Sequence, residues 1–590
     1  MSASHIINLP NTPPITDDND NPSAINPPAI AQQWLSSLVS VLRTNDFARL
    51  QEELFHPDSW WRDHLALQWD LRTIRGAEGI AAFLQEHQPT AQLSALKLQD
   101  EGRYRPSLHE PEKEAGLLLT WIVSMFFFET RAYAVYTSLQ ELKGFEEPLG
   151  PRRVYGTLNS MPGGSSKGTW LERRKRQVEF VDEEPQVLVV GAGQSGLNLG
   201  ARLQLLGVST LIIDKNERIG DNWRKRYRTL VTHDPVEFTH MAYLPFPKNW
   251  PQFTPKDKLA DWFEAYANLM ELNVWTRTSI QSADYDDDAG KWTVTVSRPD
   301  GFQVLHPRHL VWCTGHSGEP KIPSFPGQED FQGVVYHGSQ HQDASTHNNV
   351  QGKKVIVVGT GNSGHDIAEN FYENGAEVTM LQRSGTPPTD QADIFSESLP
   401  FPVQFALNVY LTKRISSVDA SLLSGLERAG FKIYKGVDDS GIARLYFTRG
   451  GGYYIDVGCS QLIIDGKIKV KHCPGGIARF TPRGIVLNDE EHTELPADIV
   501  VLATGYDNMR TTVRKVLGDK VADRCKDVWD LDEEGELNAI WRPSGHPHFW
   551  FMGGNLALCR IYSKFLALQI KAIEEGLVPE DSAAAAQSKL

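Results

Sequence analysis

Two glycine-rich turns of the form G-x-G-x-x-G constrain this chain more than any other feature of its sequence. They occupy residues 191–196 (GAGQSG) and 359–364 (GTGNSG). Each follows a short aliphatic, β-branched run, at 187–190 and 355–358, and each precedes a stretch of helical character. A strand, a glycine turn and a helix in this order form the phosphate-binding part of a dinucleotide site. Two such units predict that one polypeptide holds two dinucleotides, the arrangement needed for hydride transfer between cofactors.

The composition limits the class of protein. With 590 residues the chain is too long for a single hydrophobic core, so we expect two to four domains. A formal net charge of −15 argues against a nucleic-acid or anionic-membrane partner. The five cysteines include no C-x-x-C pair, which disfavours a disulfide framework and a metal site. No apolar run is long enough to predict a membrane span.

The chain ahead of the glycine turns has its own organisation. Residues 1–28 are rich in Pro, Asn and Asp, and we expect them to be disordered. Residues 29–145 show helical patterns followed by long strands, and the segment 76–84 (GAEGIAAFL) resembles the cone-shaped NTF2-like (SnoaL-like) fold. That resemblance implies a small α+β domain, which would pack, form a homodimer or complete a catalytic pocket. Residues 146–184 carry the Pro and Gly signals of a linker.

The first turn is predicted to bind FAD or NAD. Gly191 permits a tight turn, Gly193 lets the pyrophosphate approach the backbone, and Gly196 lets helix and strand pack closely. Asp214 ends the next strand, where an acid accepts hydrogen bonds from a ribose diol and repels a 2′-phosphate. The residues assigned to this site are Gly191, Gly193, Gln194, Ser195, Gly196, Asp214 and Lys215.

The second turn is predicted to bind NADP(H). The acid is missing after the next strand, and Arg383 takes its place with Ser384 beside it. A guanidinium can bind a 2′-phosphate through two hydrogen bonds. The residues assigned to this site are Gly359, Gly361, Asn362, Ser363, Gly364, Arg383 and Ser384.

Residues 185 to about 570 resemble the flavin-containing monooxygenases, the class B flavoprotein monooxygenases that include the plant YUCCA-type enzymes. The matching segments are IGDNW at 219–223, YLPFP at 243–247, CTGH at 313–316 with Pro320 and Pro323, FQGVVYH at 331–337 and ATGY at 503–506. The resemblance assigns FAD to the first turn and NADPH to the second. It also implies that Trp223, Thr314, Gly315, Thr504 and Gly505 contact the cofactors.

Two positions depart from the family pattern. The fingerprint that ends at His337 normally closes with an aromatic residue four positions later, where this chain has His341. That aromatic distinguishes Baeyer–Villiger enzymes from heteroatom oxygenases, so the chain fits neither subclass. An active-site Asn of many members corresponds here to His233, as in the YUCCA-like branch. The candidate catalytic residues are Trp223 and His233 beside the flavin and His337 at a hinge.

The resemblance implies an NADPH-dependent monooxygenase. NADPH would reduce FAD, the reduced flavin would react with O2 to a C4a-(hydro)peroxyflavin, and one oxygen atom would pass to a small organic substrate. The reaction would be N- or S-hydroxylation, or oxidation of a carbonyl compound or 2-oxo acid. The alternatives are a Baeyer–Villiger monooxygenase and a non-oxygenating NADPH oxidase or reductase. This chemistry requires no metal ion.

The alternation of strands and helices after Pro185 predicts an α/β fold with two Rossmann-like dinucleotide-binding domains. We expect the FAD-binding domain at 185–350 and 485–575, with the NADP-binding domain at 351–484 inserted into it. Residues 576–590 form a C-terminal tail that ends in Ser588-Lys589-Leu590, a tripeptide read by the peroxisomal import receptor. This tripeptide predicts a peroxisomal protein, and a cytoplasmic one is the alternative.

Overall fold

The computed structural model describes residues 26–98, 106, 125–128, 131–154, 168–316, 318–382 and 398–578. Of the tail 1–28 that we expected to be disordered, residues 1–25 lie outside the described residues, whereas residues 26–28 cap and begin the first helix. The pair Arg383 and Ser384 and the tripeptide Ser588-Lys589-Leu590 also lie outside the described residues. Within the described part, no helix has the length and apolar character needed to cross a lipid bilayer.

The N-terminal region forms a four-stranded sheet with helices on one face. Asn26 caps the first helix by accepting a hydrogen bond from the Ala29 N–H, and Pro27 takes a position that needs no backbone donor. The elements are α1 (Pro27–Thr44), a π-helical turn (Leu50–Leu54), β1 (Phe55–His64), β2 (Leu71–Arg75), α2 (Ala77–Ala91), β3 (Met125–Phe128) and β4 (Arg131–Ser138). The strand order is β2-β1-β4-β3, in which only β1 and β4 run parallel.

The other face of this sheet packs against the body of the protein. Trp61 belongs to the hydrophobic core beneath the helices, whereas its neighbour Trp60 packs in a cluster with Leu399 and Val403. Because side chains alternate along a strand, Arg62 lies on the same face as Trp60. Its guanidinium is fully buried and pairs with Glu536 at 2.8 Å. The N-terminal sheet is therefore joined to the body by both apolar and ionic contacts.

The first glycine turn belongs to a parallel sheet. A capping box between Thr169 and Glu172 begins a helix inside the segment that we predicted as a linker. The elements are α3 (Trp170–Val178), β5 (Val187–Val190), α4 (Gln194–Leu205), β6 (Thr210–Ile213), α5 (Asp221–Arg224), α6 (Lys256–Leu269), β7 (Val274–Trp275), β8 (Ser279–Asp286), β9 (Lys291–Arg298), β10 (Gly301–Leu305) and β11 (His309–Trp312). Strands β11-β5-β6-β7 are parallel neighbours, and β8, β9 and β10 form a separate antiparallel sheet.

The second glycine turn belongs to a second parallel sheet. The elements are β12 (Val334–His337), β13 (Lys354–Val358), α7 (Asn362–Glu373), β14 (Glu377–Gln382), α8 (Phe401–Val418), α9 (Ala420–Arg428), α10 (Gly441–Arg449), α11 (Cys459–Ile464), β15 (Ile468–His472), β16 (Ile477–Thr481), β17 (Gly484–Leu487), β18 (Glu494–Pro496) and β19 (Ile499–Leu502). The order is β12-β19-β13-β14-β15, all parallel, and β16, β17 and β18 form a second antiparallel sheet.

The chain then returns to the first sheet. The last elements are α12 (Arg510–Leu517), α13 (Asp519–Ala522), β20 (Phe549–Phe551) and α14 (Leu556–Glu574). Strand β20 pairs with β11, so the first sheet has the order β20-β11-β5-β6-β7. The two parallel sheets thus share one plan: a glycine turn after the central strand, and a three-stranded antiparallel sheet before the strand that returns beside it. This is the predicted α/β fold with two Rossmann-like units.

The second sheet corrects the predicted domain limits. Its strands β12 and β19 lie on either side of the range 351–484 that we expected for the inserted domain. The physical reason is backbone pairing: β13 needs a parallel neighbour on its other edge, and β19 supplies it through the register Val355 to Ile499. The range 351–484 therefore omits two strands of the sheet that carries the second turn.

Candidate active site

The first glycine turn is closed by backbone packing. Gly191 has φ +113°, and a Cβ atom there would lie 2.5 Å from the carbonyl oxygen of Cys313. A Cβ atom on Gly196 would lie 2.0 Å from the carbonyl oxygen of Gly191. Both glycines are thus required by the protein itself. The contact with Cys313 also places Thr314 and Gly315, which follow β11, beside this turn, and both are exposed.

Gly193 leaves room for a ligand. A Cβ atom there would meet only the side-chain amide of Asn222, at 3.1 Å. Helix α4 begins at Gln194, and no side chain caps it. An uncapped helix N-terminus with free N–H groups is a phosphate site. Asn222 therefore lies at the edge of this phosphate site, and the half-buried Trp223 follows it in α5.

Asp214 presents a fixed carboxylate at the end of β6. Its Oδ2 accepts a hydrogen bond from the Ala192 N–H at 2.8 Å, and its Oδ1 accepts one from the Asn216 N–H at 2.7 Å. The acid is therefore held against the turn, with lone pairs left for a ribose diol. The neighbouring Lys215 is exposed.

Gln194 and Ser195 make protein contacts with their side chains. The Gln194 amide donates to the carbonyl of Gly554 at 3.3 Å, and the Ser195 hydroxyl lies 3.2 Å from the Cys559 thiol. Both contacts tie α4 to the start of α14. Only the backbone N–H groups of these two residues remain to meet a phosphate.

The second turn repeats this geometry. Gly359 has φ +117°, and a Cβ atom there would lie 2.4 Å from the carbonyl oxygen of Ala503. A Cβ atom on Gly364 would lie 2.5 Å from the carbonyl oxygen of Gly359. A Cβ atom on Gly361 would meet only the carbonyl oxygen of Tyr453, at an ordinary contact distance of 3.7 Å. Helix α7 has no side-chain cap. The second turn therefore offers the same open middle glycine and free helix N-terminus as the first.

The residues around the second turn are also positioned by hydrogen bonds. Thr504 and Gly505 follow β19 and lie beside this turn, and the Thr504 hydroxyl donates to the Lys321 carbonyl. Asn362 accepts a hydrogen bond from the Ile455 N–H at 3.0 Å. Ser363 is half-buried in the first turn of α7. Residues 503–505 thus lie beside the second turn in the same way that residues 313–315 lie beside the first.

Gln382 takes the place of Asp214 at the second turn. Val190 pairs with Ile213 in the first sheet, and Val358 pairs with Leu381 in the second, so the next residues are Asp214 and Gln382. The Gln382 side chain is fully buried. We predicted Arg383 for this position from the sequence, whereas the strand register, counted from the glycine turn, identifies Gln382.

His337 positions the second turn. Its Nδ1 accepts a hydrogen bond from the Ser339 N–H at 3.1 Å, so Nε2 carries the proton and donates to the Gly505 carbonyl at 3.2 Å. Burial lowers the pKa of His337, with the Gly505 contact opposing it, which keeps the ring neutral. This predicted catalytic residue therefore holds the loop at Gly505.

His233 joins the two units. It lies in the loop before α6, and its Nε2 is 3.1 Å from the Asp366 carboxylate on α7. Its Nδ1 contacts the Ile455 carbonyl at 3.1 Å. Burial would lower the pKa of His233, but the hydrogen bond and charge of Asp366 outweigh it and raise that pKa. The ring is thus held between the units.

His341 packs among aromatic side chains after β12. Its ring stacks on Tyr336 and lies 5.3 Å from the ring of Phe371. Tyr336 donates its hydroxyl proton to Nδ1 at 2.8 Å, and Nε2 contacts Asn370 Oδ1 at 3.1 Å. Burial lowers the pKa of His341. The histidine anchors the segment after β12 to α7.

An aromatic cluster that we did not predict lies beside both turns. It consists of His316, Tyr446, Tyr453 and Trp529, with ring centroids 5.5–6.2 Å apart between neighbours. Burial lowers the pKa of His316 to about 4. The CTGH motif gave the position of His316, but no sequence signal linked it to Tyr446 or Trp529, which are distant in the chain.

The aromatic cluster borders a half-buried acid, Asp234. The Tyr446 hydroxyl accepts a hydrogen bond from the Asn555 N–H at 3.0 Å, and the Asn555 amide donates to Asp234 at 3.2 Å. Burial raises the pKa of Asp234, with the Asn555 contact opposing it. All five cysteines are free and buried, and burial raises the pKa of the Cys313 thiol.

Comparisons with known proteins show the family to which the chain belongs. The family model described as pyridine nucleotide-disulphide oxidoreductase matches residues 188–418. The chain is 31% identical over 366 residues to the indole-3-pyruvate monooxygenase YUCCA1 of Oryza sativa subsp. japonica, covering 61% of this chain and 83% of the rice protein. It is 32% identical over 330 residues to the probable indole-3-pyruvate monooxygenase YUCCA3 of Arabidopsis thaliana, covering 54% of this chain and 72% of that protein.

Solved structures give a more distant similarity. A flavin monooxygenase mutant from Stenotrophomonas maltophilia has a TM-score of 0.46 at 20% identity, covering 66% of this chain and 98% of that one. The open form of cyclohexanone monooxygenase has a TM-score of 0.48 at 17% identity, covering 68% and 91%. The family assignment comes from the sequence relatives. The chain belongs to the flavin-containing monooxygenases, in their YUCCA-like branch, and is a flavin-dependent monooxygenase that uses FAD and NADPH.

Proposed function

We propose that FAD binds at the first turn and NADPH at the second, and that the enzyme transfers one oxygen atom of O2 to a small 2-oxo acid. The observation that carries the cofactor assignment is the difference at equivalent strand ends. Asp214 is a carboxylate that favours a free ribose diol, and Gln382 is a neutral amide that tolerates a 2′-phosphate.

The residues present fit both cofactors. At the first turn, Gly191 and Gly196 have no space for a side chain, whereas Gly193 and the uncapped start of α4 leave the backbone open to a pyrophosphate. The same reasoning applies to Gly361 and the uncapped start of α7. Each cofactor would therefore be bound mainly through backbone N–H groups.

The protein's own residues orient and shield the reacting groups. Bound FAD supplies the redox and oxygen-activating chemistry. His337 fixes Gly505 beside the second turn, and His233 holds the first unit's loop on α7 through Asp366. The apolar rings of Tyr446 and Trp529 are buried and exclude water from the space between the turns. These contacts would keep the two nucleotide sites in a fixed relation during hydride transfer.

The names of the relatives support the proposed substrate class. Indole-3-pyruvate, named for the rice and Arabidopsis relatives, is a 2-oxo acid. Insertion of one oxygen atom at the keto carbon of such an acid breaks the bond to the carboxyl group. The products are a carboxylic acid one carbon shorter and CO2, while the second oxygen atom leaves as water and NADPH supplies the two electrons. The His233 loop and the aromatic cluster with Tyr446 would contact this substrate.

The test is product analysis with the FAD-loaded enzyme under O2. NADPH consumption, CO2, peroxide and organic products would be measured with a 2-oxo acid, a cyclic ketone, a thioether and no substrate. We expect CO2 in proportion to NADPH only with the 2-oxo acid. A lactone from the ketone would indicate a Baeyer–Villiger enzyme, a sulfoxide would indicate a heteroatom oxygenase, and peroxide without any product would indicate an oxidase. Any of these three results would contradict the proposed substrate class.

We also propose that the N-terminal region is an NTF2-like domain with a packing role. The four-stranded sheet with helices on one face supports the fold assignment. Its second face is covered within the same chain by Leu399, Val403 and the Glu536 region. A domain docked in this way stabilises the catalytic body, and its removal should lower the unfolding temperature of the remaining chain.

A further inference from the structure

The strand end at the second turn is tied to a segment far away in the sequence. Gln382 Oε1 accepts a hydrogen bond from the Lys432 N–H at 2.7 Å, and Gln382 Nε2 donates to the Lys432 carbonyl at 3.2 Å. The same amide group lies 3.5 Å from the Thr360 hydroxyl in the glycine turn. Gln382 is fully buried, so these bonds fix the Lys432 backbone beside the turn.

This arrangement differs from the first turn in charge. There, the equivalent residue Asp214 places a carboxylate beside Ala192. At the second turn the buried amide carries no charge, and the residue that it holds is a lysine whose side chain is exposed. Among the described residues, no carboxylate lies within salt-bridge distance of Lys432. The first turn therefore has the carboxylate of Asp214 at this position, and the second turn has the ammonium of Lys432 beside it.

The Lys432 ammonium, which has no carboxylate partner among the described residues, can bind a phosphate group of a dinucleotide. The residue after the second strand of such a unit meets the ribose hydroxyls, where NADPH carries its 2′-phosphate and NADH does not. A lysine binds phosphate as a compact charge on a flexible stem. We propose that Lys432 binds the 2′-phosphate of NADPH, and that Gln382 is the positioning residue that places it there. This proposal rests on the assignment of NADPH to the second turn.

The test measures equilibrium binding to the oxidised, FAD-loaded enzyme. Calorimetry would give dissociation constants for NADP⁺, NAD⁺, 2′,5′-ADP and 5′-AMP with the natural protein and with Lys432→Ala. We expect the variant to bind NADP⁺ and 2′,5′-ADP at least about tenfold more weakly, which is about 1.4 kcal/mol. Binding of NAD⁺ and 5′-AMP should stay within about twofold, because neither carries the phosphate.

Two further variants separate charge from structure. Lys432→Arg keeps the charge and should retain most of the NADP⁺ affinity. Lys469→Ala removes an exposed lysine from β15, which belongs to the same sheet, and should change nothing. Added salt should weaken NADP⁺ binding less in Lys432→Ala than in the natural protein, since a screened contact has been removed.

The outcomes are distinct. An equal loss for NADP⁺ and NAD⁺, or no loss for either, would overturn the role of Lys432. If NADPH does not bind at the second turn, Gly361→Val would leave NADP⁺ binding intact. If Gly361→Val abolishes NADP⁺ binding while Lys432→Ala does not, the turn is correct and the lysine is a solvated surface residue.

Discussion

His233 Nε2 lies 3.1 Å from the carboxylate of Asp366, and this contact joins the loop of the first nucleotide unit to the helix that opens the second. The Tyr227 hydroxyl donates to the same carboxylate oxygen from the same loop. One carboxylate on α7 therefore receives two groups from the other unit. His233, which we predicted as a catalytic residue, thus joins the two units through Asp366.

The first prediction concerns the pH dependence of this contact. The pKa of His233 is raised in the folded protein, so its protonated form is favoured by folding. The stabilisation is fully present below the unfolded pKa of about 6.5 and is lost as pH rises through the higher folded pKa. We expect Asp366→Asn to lower the free energy of unfolding by about 1.5–3 kcal/mol at a pH just below about 6.5. The loss should become progressively smaller as the pH rises through the folded pKa of His233. Urea unfolding across this range measures the difference.

Tyr227→Phe is the matched control for this pH effect. It removes a hydrogen bond to the same carboxylate without removing a charge. Burial raises the pKa of Tyr227 well above its usual value, so its hydroxyl stays protonated throughout the range. The decrease in the free energy of unfolding caused by Tyr227→Phe should therefore be nearly constant with pH. Parallel pH profiles for Asp366→Asn and Tyr227→Phe would show that His233 does not titrate against Asp366.

A second prediction uses the two open glycines as a matched pair. Gly193→Val should fold but lose its flavin colour, because a side chain there meets only the Asn222 amide and blocks the phosphate path. Gly361→Val should stay yellow and lose NADP⁺ affinity. Visible absorbance, circular dichroism and calorimetry measure flavin content, folding and NADP⁺ binding. Retention of FAD by Gly193→Val, or loss of FAD by Gly361→Val, would contradict the assignment of the turns.

A third prediction concerns Arg383, which the sequence places after the strand of the second turn. Arg383→Ala should raise KM for NADPH far more than KM for NADH. Loss of a charged hydrogen-bonding contact costs about 2–3 kcal/mol, or about 30- to 150-fold in affinity. Steady-state kinetics with both nucleotides make the comparison, with Lys469→Ala as the control. Equal increases for NADPH and NADH would refute selection of the 2′-phosphate by Arg383.

Local chemistry explains which parts of this fold could be predicted from sequence. The glycine turns and Asp214 were predictable because their roles depend on backbone conformation and charge within one strand–turn–helix unit. The limits of the second unit were not, because β19 joins β13 by pairing across more than a hundred residues. The bond between Gln382 and Lys432 likewise depends on tertiary contact. The homodimer and the peroxisomal address at Ser588-Lys589-Leu590 stay predictions.

The last prediction concerns the attachment of the N-terminal sheet. Arg62 donates two hydrogen bonds to Glu536, at 2.9 and 2.8 Å, and both side chains are fully buried. Thr73 donates to the same carboxylate. Glu536→Ala leaves a buried guanidinium without its counter-charge, so we expect it to lower the free energy of unfolding by about 3–5 kcal/mol. The measurement is urea unfolding of the full chain.

The neighbouring pair Arg72–Glu534 provides the control, because it joins the same two parts of the chain in partial contact with water. Glu534→Ala should lower the free energy of unfolding by only about 0–1 kcal/mol, because solvent screens the remaining charge of Arg72. The double variant Arg62→Met/Glu536→Leu should recover most of the loss, because it removes both buried charges together. Similar costs for Glu536→Ala and Glu534→Ala would mean that water reaches Arg62, and the sheet would then be held by the apolar contacts of Trp60 with Leu399 and Val403.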